Sequence, residues 1–484
     1  MLRDRRGLTV STRSRAALEA CERAIESLNG LCGNPVGAAD EALAADPTCV
    51  LAANVKAAAV IMSADRPLEG LLREAVELGE RHASGATERE RQHLAAARAW
   101  LERDFTRSIA AYGRIAAEHP RDVLALQVAH TGHFLLGQQA LLRDQLAQVL
   151  HAWDEAVPGY GYVLGMYAFG LEETGDYRRA EEVGRRAVEL NPADAWASHA
   201  VAHVMEMNAR IDEGIAWLSE TSGAWPPDSF IAYHNYWHAA LFHLDRGEVA
   251  SALALYDGRI RPARSDVGME MVDASALLWR LFLLGHDGGA RARVLADDWS
   301  RRLEDRYYVF NDVHAIMAFA AAGRDADVAR TLHEVEASAA QAGSNGAIAR
   351  DVGLPVCRAL AAFARGRWAE CVEELFPVRH AALRMGGSNA QRDVLSLTLV
   401  EAALRGGHAD LAQALASERV RLRPASPPAW TITARALELA GDEERALRAR
   451  HHADRLRAAA HVRRPRRGGH RRGVRRGAVR VQRA

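Results

Sequence analysis

The stretch LEETGDYRRAEEVGRRAVELNPADAW, residues 171–196, decides the fold of this chain. One helix-forming segment ends at Gly175, and the next segment carries a small residue at Ala180 and is closed by Pro192. A glycine at the C-terminus of a helix can take the left-handed conformation, and a small residue in the next helix lets the two helices pack closely. Because proline cannot continue a helix, Pro192 ends the second one. The stretch therefore predicts a helical hairpin.

The same pattern recurs along the chain, at intervals of 34 to 43 residues with one double interval of 72. The turn glycines are Gly137, Gly175, Gly247, Gly285, Gly323, Gly366, Gly407 and Gly441. The small residue follows at Ala180, Ala252, Ala290, Cys371, Ala412 and Ala446. We place the missing turn of the double interval near Asp212 and an earlier turn near Asp104. A period close to 34 with these features is the tetratricopeptide pattern.

The repeats predict an all-α fold in which tetratricopeptide-like helical hairpins stack into a right-handed superhelix. About ten hairpins would fill residues 15–455. Residues 1–14 are expected to be a disordered N-terminus, and residues 456–484 an Arg-rich disordered tail without apolar periodicity. Within the repeats, Thr87 and Glu90 have the spacing of a capping box and predict the start of a helix.

The composition excludes several classes of protein. With 484 residues, 49% hydrophobic and 26% charged, the chain is too apolar for a disordered protein. Residues 461–484 carry ten arginines and no acid, so the body has a formal charge of about −10, which argues against nucleic-acid binding by the folded part. Five scattered cysteines favour reduced thiols. We find neither a signal peptide nor a membrane span, and predict a cytoplasmic protein without membrane contact.

Histidines gather on the first helices of neighbouring hairpins, which line the concave surface of such a superhelix. We number these residues by their distance before the turn of their own hairpin, with Asp212 taken as one turn. The position nine residues before the turn is occupied by His203, His238 and His314, and the position thirteen residues before it by His199 and His234. Residues four apart share a helix face. We therefore expect one ligand-binding patch made of His199, His203, Glu206, His234 and Trp237.

Three interpretations of this patch remain open. The histidines are packed and hydrogen-bonded core residues, or His199, His203, His234 and His238 hold a divalent transition metal ion, which imidazole nitrogens suit. The sequence is not HExxH, so the zincin mechanism is excluded. In the third interpretation no metal is bound, and the patch is catalytic. The general base would then be His238 or His314, oriented by Asp312 or Glu206.

The segment GGSNAQRD, residues 386–393, is a second candidate for ligand binding. Arg392 and Asp393 stand at the start of a first helix, where an arginine and free backbone N–H groups can bind a carboxylate or phosphate. The alternative is that both residues cap and pin a loop between repeats.

Three segments resemble the tetratricopeptide repeat protein 38 family: AHVMEM at residues 202–207, HNYWHAALF at residues 234–242, and GGSNAQRD. The resemblance extends over roughly residues 50–450. It implies an all-helical repeat protein, and it implies no established reaction. Asn389 stands where we would expect a histidine, which argues against a ligand from this loop.

The function we predict is binding of a small molecule or peptide in a concave, His-rich groove. Peptide-binding chaperone cofactors rely on Lys, Arg and Asn clamps, whereas the predicted groove is rich in His, Trp and Tyr. The chain is long enough to curl through nearly a full superhelical turn and enclose the patch. The alternatives are an enzyme that acts on a small molecule, with the histidine cluster as metal site or general acid/base, and a protein interaction scaffold.

Overall fold

A computed structural model of the protein describes residues 1–305 and 307–462, with side chains to residue 458. Two short strands, β1 (Leu2–Arg3) and β2 (Thr9–Val10), precede the helices. In this part of the chain the helices are α1 (Arg15–Gly30), α2 (Pro35–Ala45), α3 (Val50–Ser63), α4 (Glu69–Arg81), α5 (Glu88–Leu101), α6 (Phe105–Glu118), α7 (Val123–Leu135), α8 (Gln139–Val149), α9 (Tyr160–Glu173), α10 (Tyr177–Leu190), α11 (Ala195–Met207), α12 (Ile211–Thr221), α13 (Ala232–Asp245), α14 (Val249–Leu255), α15 (Gly268–Leu283), α16 (Gly289–Ser300), α17 (Val309–Ala321), α18 (Asp325–Ala339), α19 (Ser344–Ile348), α20 (Leu354–Ala364), α21 (Trp368–Val378), α22 (Asn389–Arg405), α23 (Ala409–Leu422), α24 (Pro427–Leu439) and α25 (Glu443–Val462).

Consecutive helices pack in pairs, and the predicted all-α superhelix of tetratricopeptide-like hairpins is confirmed. The described residues form twelve hairpins rather than about ten, with the short α19 inserted between α18 and α20. The two hairpins that the pattern did not locate are α1–α2 and α3–α4, which lack a turn glycine of the repeat pattern and precede the first predicted turn, near Asp104.

The turn glycines behave as predicted. All eight have positive φ, between 63° and 85°. The other four hairpin turns have a left-handed residue that is not glycine: Leu31, Ala64, Arg103 and Ala209. The turn predicted near Asp104 is thus at Arg103, and the one predicted near Asp212 is three residues earlier, at Ala209. The latter position was wrong because no glycine marks it.

The small residues after the turns are buried at the hairpin interface, with one correction. Ala180, Ala252 and Ala412 are fully buried, whereas Ala290 is exposed. Ala292 takes the buried position there, because the loop between Gly285 and α16 is longer than in the other hairpins. The capping box at Thr87 and Glu90 is present at the start of α5.

Both chain ends differ from the expected disorder where they are described. Residues 1–14 include an antiparallel pairing in which Leu2 lies opposite Val10. Arg6 anchors this segment, because its buried guanidinium lies 3.0 Å from the Glu22 carboxylate on α1. At the other end, α25 continues through residues 456–462, and residues 463–484 of the predicted tail lie outside the described residues. No helix among the described residues has the length and apolar content needed to cross a membrane.

The superhelix closes on itself, so that distant repeats meet across the concave side. The Trp100 indole N–H donates to the Tyr307 hydroxyl at 2.7 Å, and the Tyr308 hydroxyl donates to the Leu135 carbonyl at 3.0 Å. Gln139 on α8 donates to the Asn389 side chain on α22 at 2.9 Å. The first helices therefore face an interior and not an open groove.

Candidate functional site

Four of the predicted histidines meet in this interior. His199 and His203 come from α11, and His234 and His238 come from α13. One ligand nitrogen of each lies within 4.8 Å of the others, and all four residues are buried, with at most 3% of their surface exposed. The turn at Ala209 shifts the expected register by three residues, but this is close to one helical turn, so the same face still points at α13.

Two carboxylates orient the histidines of α13. His238 Nδ1 lies 2.6 Å from Glu206 Oε2, and His234 Nδ1 lies 2.7 Å from Asp273 Oδ2. Where the carboxylate is ionised it only accepts hydrogen bonds, so the proton is then on Nδ1 and the lone pair on Nε2. Burial raises the pKa of Glu206. Sequence reasoning missed Asp273 because it lies on α15, in the next hairpin, where no spacing ties it to the cluster.

The histidines of α11 are bonded less completely. Neither ring nitrogen of His199 or His203 makes a hydrogen bond to any residue that the structure describes. His203 Nδ1 lies 3.2 Å from Glu172 Oε2, but the two groups are not aligned as a hydrogen bond. Burial lowers the pKa of His203 to about 4 and holds that of His199 and His238 well below its ordinary value. These three imidazoles are therefore neutral at neutral pH.

Aromatic rings enclose the cluster. Trp237, which was predicted to belong to the patch, is fully buried and stacks on His234 with ring centres 5.2 Å apart. Phe169 and Trp196 lie against His199 at 5.5 Å and 4.8 Å. The cluster is therefore shielded from bulk water.

Glu172 and Glu173 at the end of α9 form an acidic wall that sequence reasoning also missed. Burial, together with the neighbouring Glu206 charge, raises the pKa of Glu172 to about 8. Burial also raises the pKa of Glu173. Glu173 accepts a hydrogen bond from the Asn389 backbone N–H at 2.8 Å and lies 3.4 Å from Arg392.

The segment GGSNAQRD is held by its own contacts. Arg392 donates to the Gly387 carbonyl and, at 2.9 Å, to the Asn389 side chain. Asp393 pairs with Arg419 at 2.8 Å and lines the cavity described below. These contacts agree with the interpretation that Arg392 pins the loop. Of Arg392 and Asp393, only Asp393 lines the cavity.

His314 and Asp312 lie apart from the four histidines. His314 Nδ1 donates to the Phe310 carbonyl at 2.7 Å, and the described residues bring no carboxylate to it. Asp312 lines a small depression beside Trp299 and Tyr307, where burial raises its pKa to about 7. The predicted pairing of His314 with Asp312 is not formed, because residues two apart point to different sides of a helix.

A cavity of about 720 Å³ adjoins the cluster. Glu206 lines it and also contacts His238, so one side chain connects the cavity with the histidines. Leu241, Leu283 and Leu397 form part of the apolar wall. The charged groups of the wall are Arg280, Arg405, Arg419, Arg423, Arg435, Arg457, Glu206, Asp245, Asp393 and Glu401.

The arginines of the wall differ in their partners. Arg405 and Arg435 both bind Glu401, at 2.7 Å and 2.8 Å. Arg280 instead donates to the backbone carbonyls of Ala276 at 3.3 Å and Ala390 at 2.8 Å. It forms no ion pair with any described carboxylate, although only 6% of it is exposed. Burial lowers its pKa.

Comparisons with known proteins add little to this description. No family model matches the chain. A human IFIT1 dimer with m7Gppp-AAAA is 13% identical, with a TM-score of 0.41 over 94% of this chain and 97% of that one. Yeast Tom70 is 14% identical, with a TM-score of 0.29 over 92% and 88%. The P58(IPK) TPR domain is 13% identical, with a TM-score of 0.21 over 77% and 96%. At these scores the fold assignment rests on the hairpins themselves.

Proposed function

We propose that this helical repeat protein binds a small anionic molecule in the arginine-lined cavity. The observation that carries the proposal is Arg280, a buried guanidinium on the cavity wall that forms no direct ion pair with a described carboxylate. The Trp237 ring, 5.3 Å away, and the more distant charges of Asp393 and Glu206 compensate its charge only in part. A buried charge is costly unless an opposite charge compensates it. A ligand carboxylate or phosphate supplies that charge and matches the two-pronged geometry of arginine.

The charge balance of the wall supports an anionic ligand. Six arginines face four carboxylates. Burial raises the pKa of Asp245 to about 7, so this carboxyl is partly protonated at neutral pH and the positive excess is larger still. The volume of the cavity is in the range of small-molecule sites. The leucines of the wall suit an apolar portion of the same ligand.

We also propose membership of the tetratricopeptide repeat protein 38 family. Its three resembling segments lie around one region: AHVMEM supplies His203, HNYWHAALF supplies His234 and His238, and GGSNAQRD supplies Asp393 and the contact with Glu173. If the three segments contribute to one site, they are expected to lie close together in the fold although they are far apart in the sequence. The cytoplasmic location remains a prediction.

The ligand proposal is tested by calorimetry and thermal shift with citrate, glutarate, glucose 6-phosphate and AMP, against neutral glucose and adenosine. We expect at least one anion to bind the wild type, and Arg280→Met to weaken it at least tenfold, since a charged hydrogen bond contributes about 1.5–3 kcal/mol. Arg423→Met provides a second variant in the wall. The control is Arg291→Met, which removes an exposed pair with Asp257 elsewhere. Equal binding of neutral analogues, or unchanged affinity in both wall variants, contradicts the proposal.

Catalysis is the second candidate, and Glu206 favours it. Its carboxylate faces the cavity and His238 lies behind it, so Glu206 would act as the general base and His238 would position it, the reverse of the roles predicted from the sequence. If the protein is an enzyme, the wild type converts the bound anion while Glu206→Gln binds it without conversion, as followed by mass spectrometry. Binding without turnover in the wild type leaves the binding function alone.

A further inference from the structure

We propose that His199, His203, His234 and His238 bind one divalent transition metal ion, with Asp273 and Glu206 as the carboxylates that orient the ligands. This site shares Glu206 with the arginine-lined cavity, but its ion would be held by the histidines, so metal uptake does not depend on a ligand in the cavity.

The positions of the rings fit a single ion. The ring centres of His199 and His203 are 4.4 Å apart, those of His203 and His238 4.5 Å, and those of His234 and His238 4.8 Å. Four imidazoles around a tetrahedral ion, with metal–nitrogen distances of about 2.0–2.1 Å, have ring centres about 5 Å apart. The ligand nitrogens lie within 4.8 Å of one another, and such a site needs roughly 3.3 Å, so modest ring rotations complete it.

The hydrogen bonds select which nitrogens are available. The carboxylates of Glu206 and Asp273 accept hydrogen bonds from Nδ1–H of His238 and His234, so that Nε2 of each ring carries a lone pair. A metal-binding histidine almost always donates its other ring N–H to a carboxylate or carbonyl in this way. The two carboxylates also offset the charge of a divalent cation.

A purely structural role explains the cluster less well. Outside the cluster, buried His133 has both ring nitrogens bonded, to Gln138 at 2.7 Å and to Gln145 at 2.5 Å, whereas buried His130 has neither ring nitrogen bonded to a described residue. Unbonded nitrogens alone therefore do not mark a site, and their convergence is the distinguishing feature. In the cluster, both nitrogens of His199 and His203 and Nε2 of His238 have no hydrogen-bond partner among the described residues. Buried polar atoms without partners are costly. Several such atoms converging on one point indicate a ligand that uses them together.

The ligand set narrows the kind of metal. Four imidazole nitrogens without thiolate suit Zn²⁺, Co²⁺, Ni²⁺ or Cu²⁺, whereas Mg²⁺ and Ca²⁺ require oxygen ligands. We expect Zn²⁺ and Co²⁺ to bind, and Mg²⁺ and Ca²⁺ not to compete with them.

The test uses the full chain without a histidine tag, stripped with a chelator and loaded with Zn²⁺. Elemental analysis after desalting is expected to give one equivalent for the wild type and less than a tenth for the His203→Gln, His238→Gln double variant. His243→Gln is the matched control, because this residue is on α13 but outside the cluster and pairs with Glu248. A control that binds one equivalent shows that the loss is specific.

Two further measurements test the metal site even if the double variant folds poorly. Zn²⁺ at a hundredfold excess over its Kd should raise the wild-type Tm by roughly 2–3 °C. Asp273→Asn should bind Co²⁺ 10- to 100-fold more weakly, as measured by the visible absorption of bound Co²⁺, while the circular dichroism of the protein is unchanged.

A wild type that takes up neither Zn²⁺ nor Co²⁺ overturns the metal site, as does a well-folded double variant that binds as tightly as the wild type. The metal titrations contain no organic anion, and the anion titrations that test the arginine-lined cavity use metal-free protein. Failure of the metal site is therefore distinguishable from failure of the proposed anion binding.

Discussion

Asp122 lies between Arg89 and His93 in the interior of the superhelix. Arg89 Nη1 is 2.6 Å and His93 Nε2 is 2.9 Å from its carboxylate, and the Ala125 backbone N–H donates to it at 3.0 Å. Burial raises the pKa of Asp122, but His93 and Arg89 outweigh burial and hold it well below the ordinary value. A depressed pKa in the folded state stabilises the protein above the unfolded pKa of about 3.9, and this contribution is lost as the pH falls.

Asp122→Asn is therefore expected to destabilise the protein in a pH-dependent way. The amide keeps the cap of α7 but leaves Arg89 without its carboxylate, so the free energy of unfolding at pH 7 should fall by about 3–5 kcal/mol. The deficit should shrink only below about pH 4, where the wild type loses the same contribution, by about 1 kcal/mol at pH 3. Urea unfolding at pH 7 and pH 3 measures this difference. Asp104→Asn, at the more exposed cap of α6, is the control, and an equal effect of both substitutions contradicts the assigned role of the buried pair.

The residues of the candidate site show how far sequence reasoning reaches. The pairs His199–His203 and His234–His238 were predictable, because residues four apart share a helix face whatever the tertiary structure. Asp273 and Arg280 were not, since both lie on α15 and approach the site only through the packing of hairpins and the curvature of the stack. Local periodicity in the sequence identifies the residues that share a helix face, whereas the packing of the superhelix determines which helix faces contact one another.

At the scale of the helical elements, the left-handed turn residue is the common feature of the hairpins. Glycine tolerates positive φ without strain, so the eight glycine turns were visible in the sequence. The turns at Leu31, Ala64, Arg103 and Ala209 have the same conformation with a side chain present, and no residue type announces them. The register error of three residues at Ala209 has this origin.

The cost of a side chain at these turns is measurable with a reciprocal pair of substitutions. A left-handed residue other than glycine costs about 1–2 kcal/mol, partly offset because glycine has more freedom in the unfolded chain. We expect Ala209→Gly to stabilise the protein by about 0.5–1 kcal/mol and Gly175→Ala to destabilise it by about 1 kcal/mol. A Cβ at Gly175 would meet no atom within 4 Å, so backbone strain alone is tested there. Denaturant midpoints give both values, and a loss of stability in Ala209→Gly would show that the methyl group contributes packing that outweighs the strain.

At the scale of the whole molecule, closure of the superhelix brings the turn at Gly137 against the segment around Leu383. A Cβ at Gly137 would clash with the Leu383 carbonyl oxygen, which is backbone and cannot rotate away. On the other side of this contact, a Cβ at Gly386 would lie 2.5 Å from the Leu135 carbonyl oxygen. Glycine is therefore required at both positions by the approach of distant repeats. This contact helps to enclose the interior that contains the histidines.

Gly137→Ala separates closure from turn strain when it is compared with Gly175→Ala. Both glycines have positive φ, so both substitutions strain a turn, and only the first meets another part of the chain. We expect Gly137→Ala to cost about 1–3 kcal/mol more than Gly175→Ala, because the backbone contact must be forced apart. Since the contact joins repeats far apart in sequence, its opening should also increase the radius of gyration in small-angle scattering. If the two variants lose the same stability and have the same radius of gyration, other contacts hold the superhelix closed. The close contact of Gly137 with the Leu383 segment is then a consequence of closure and not a condition for it.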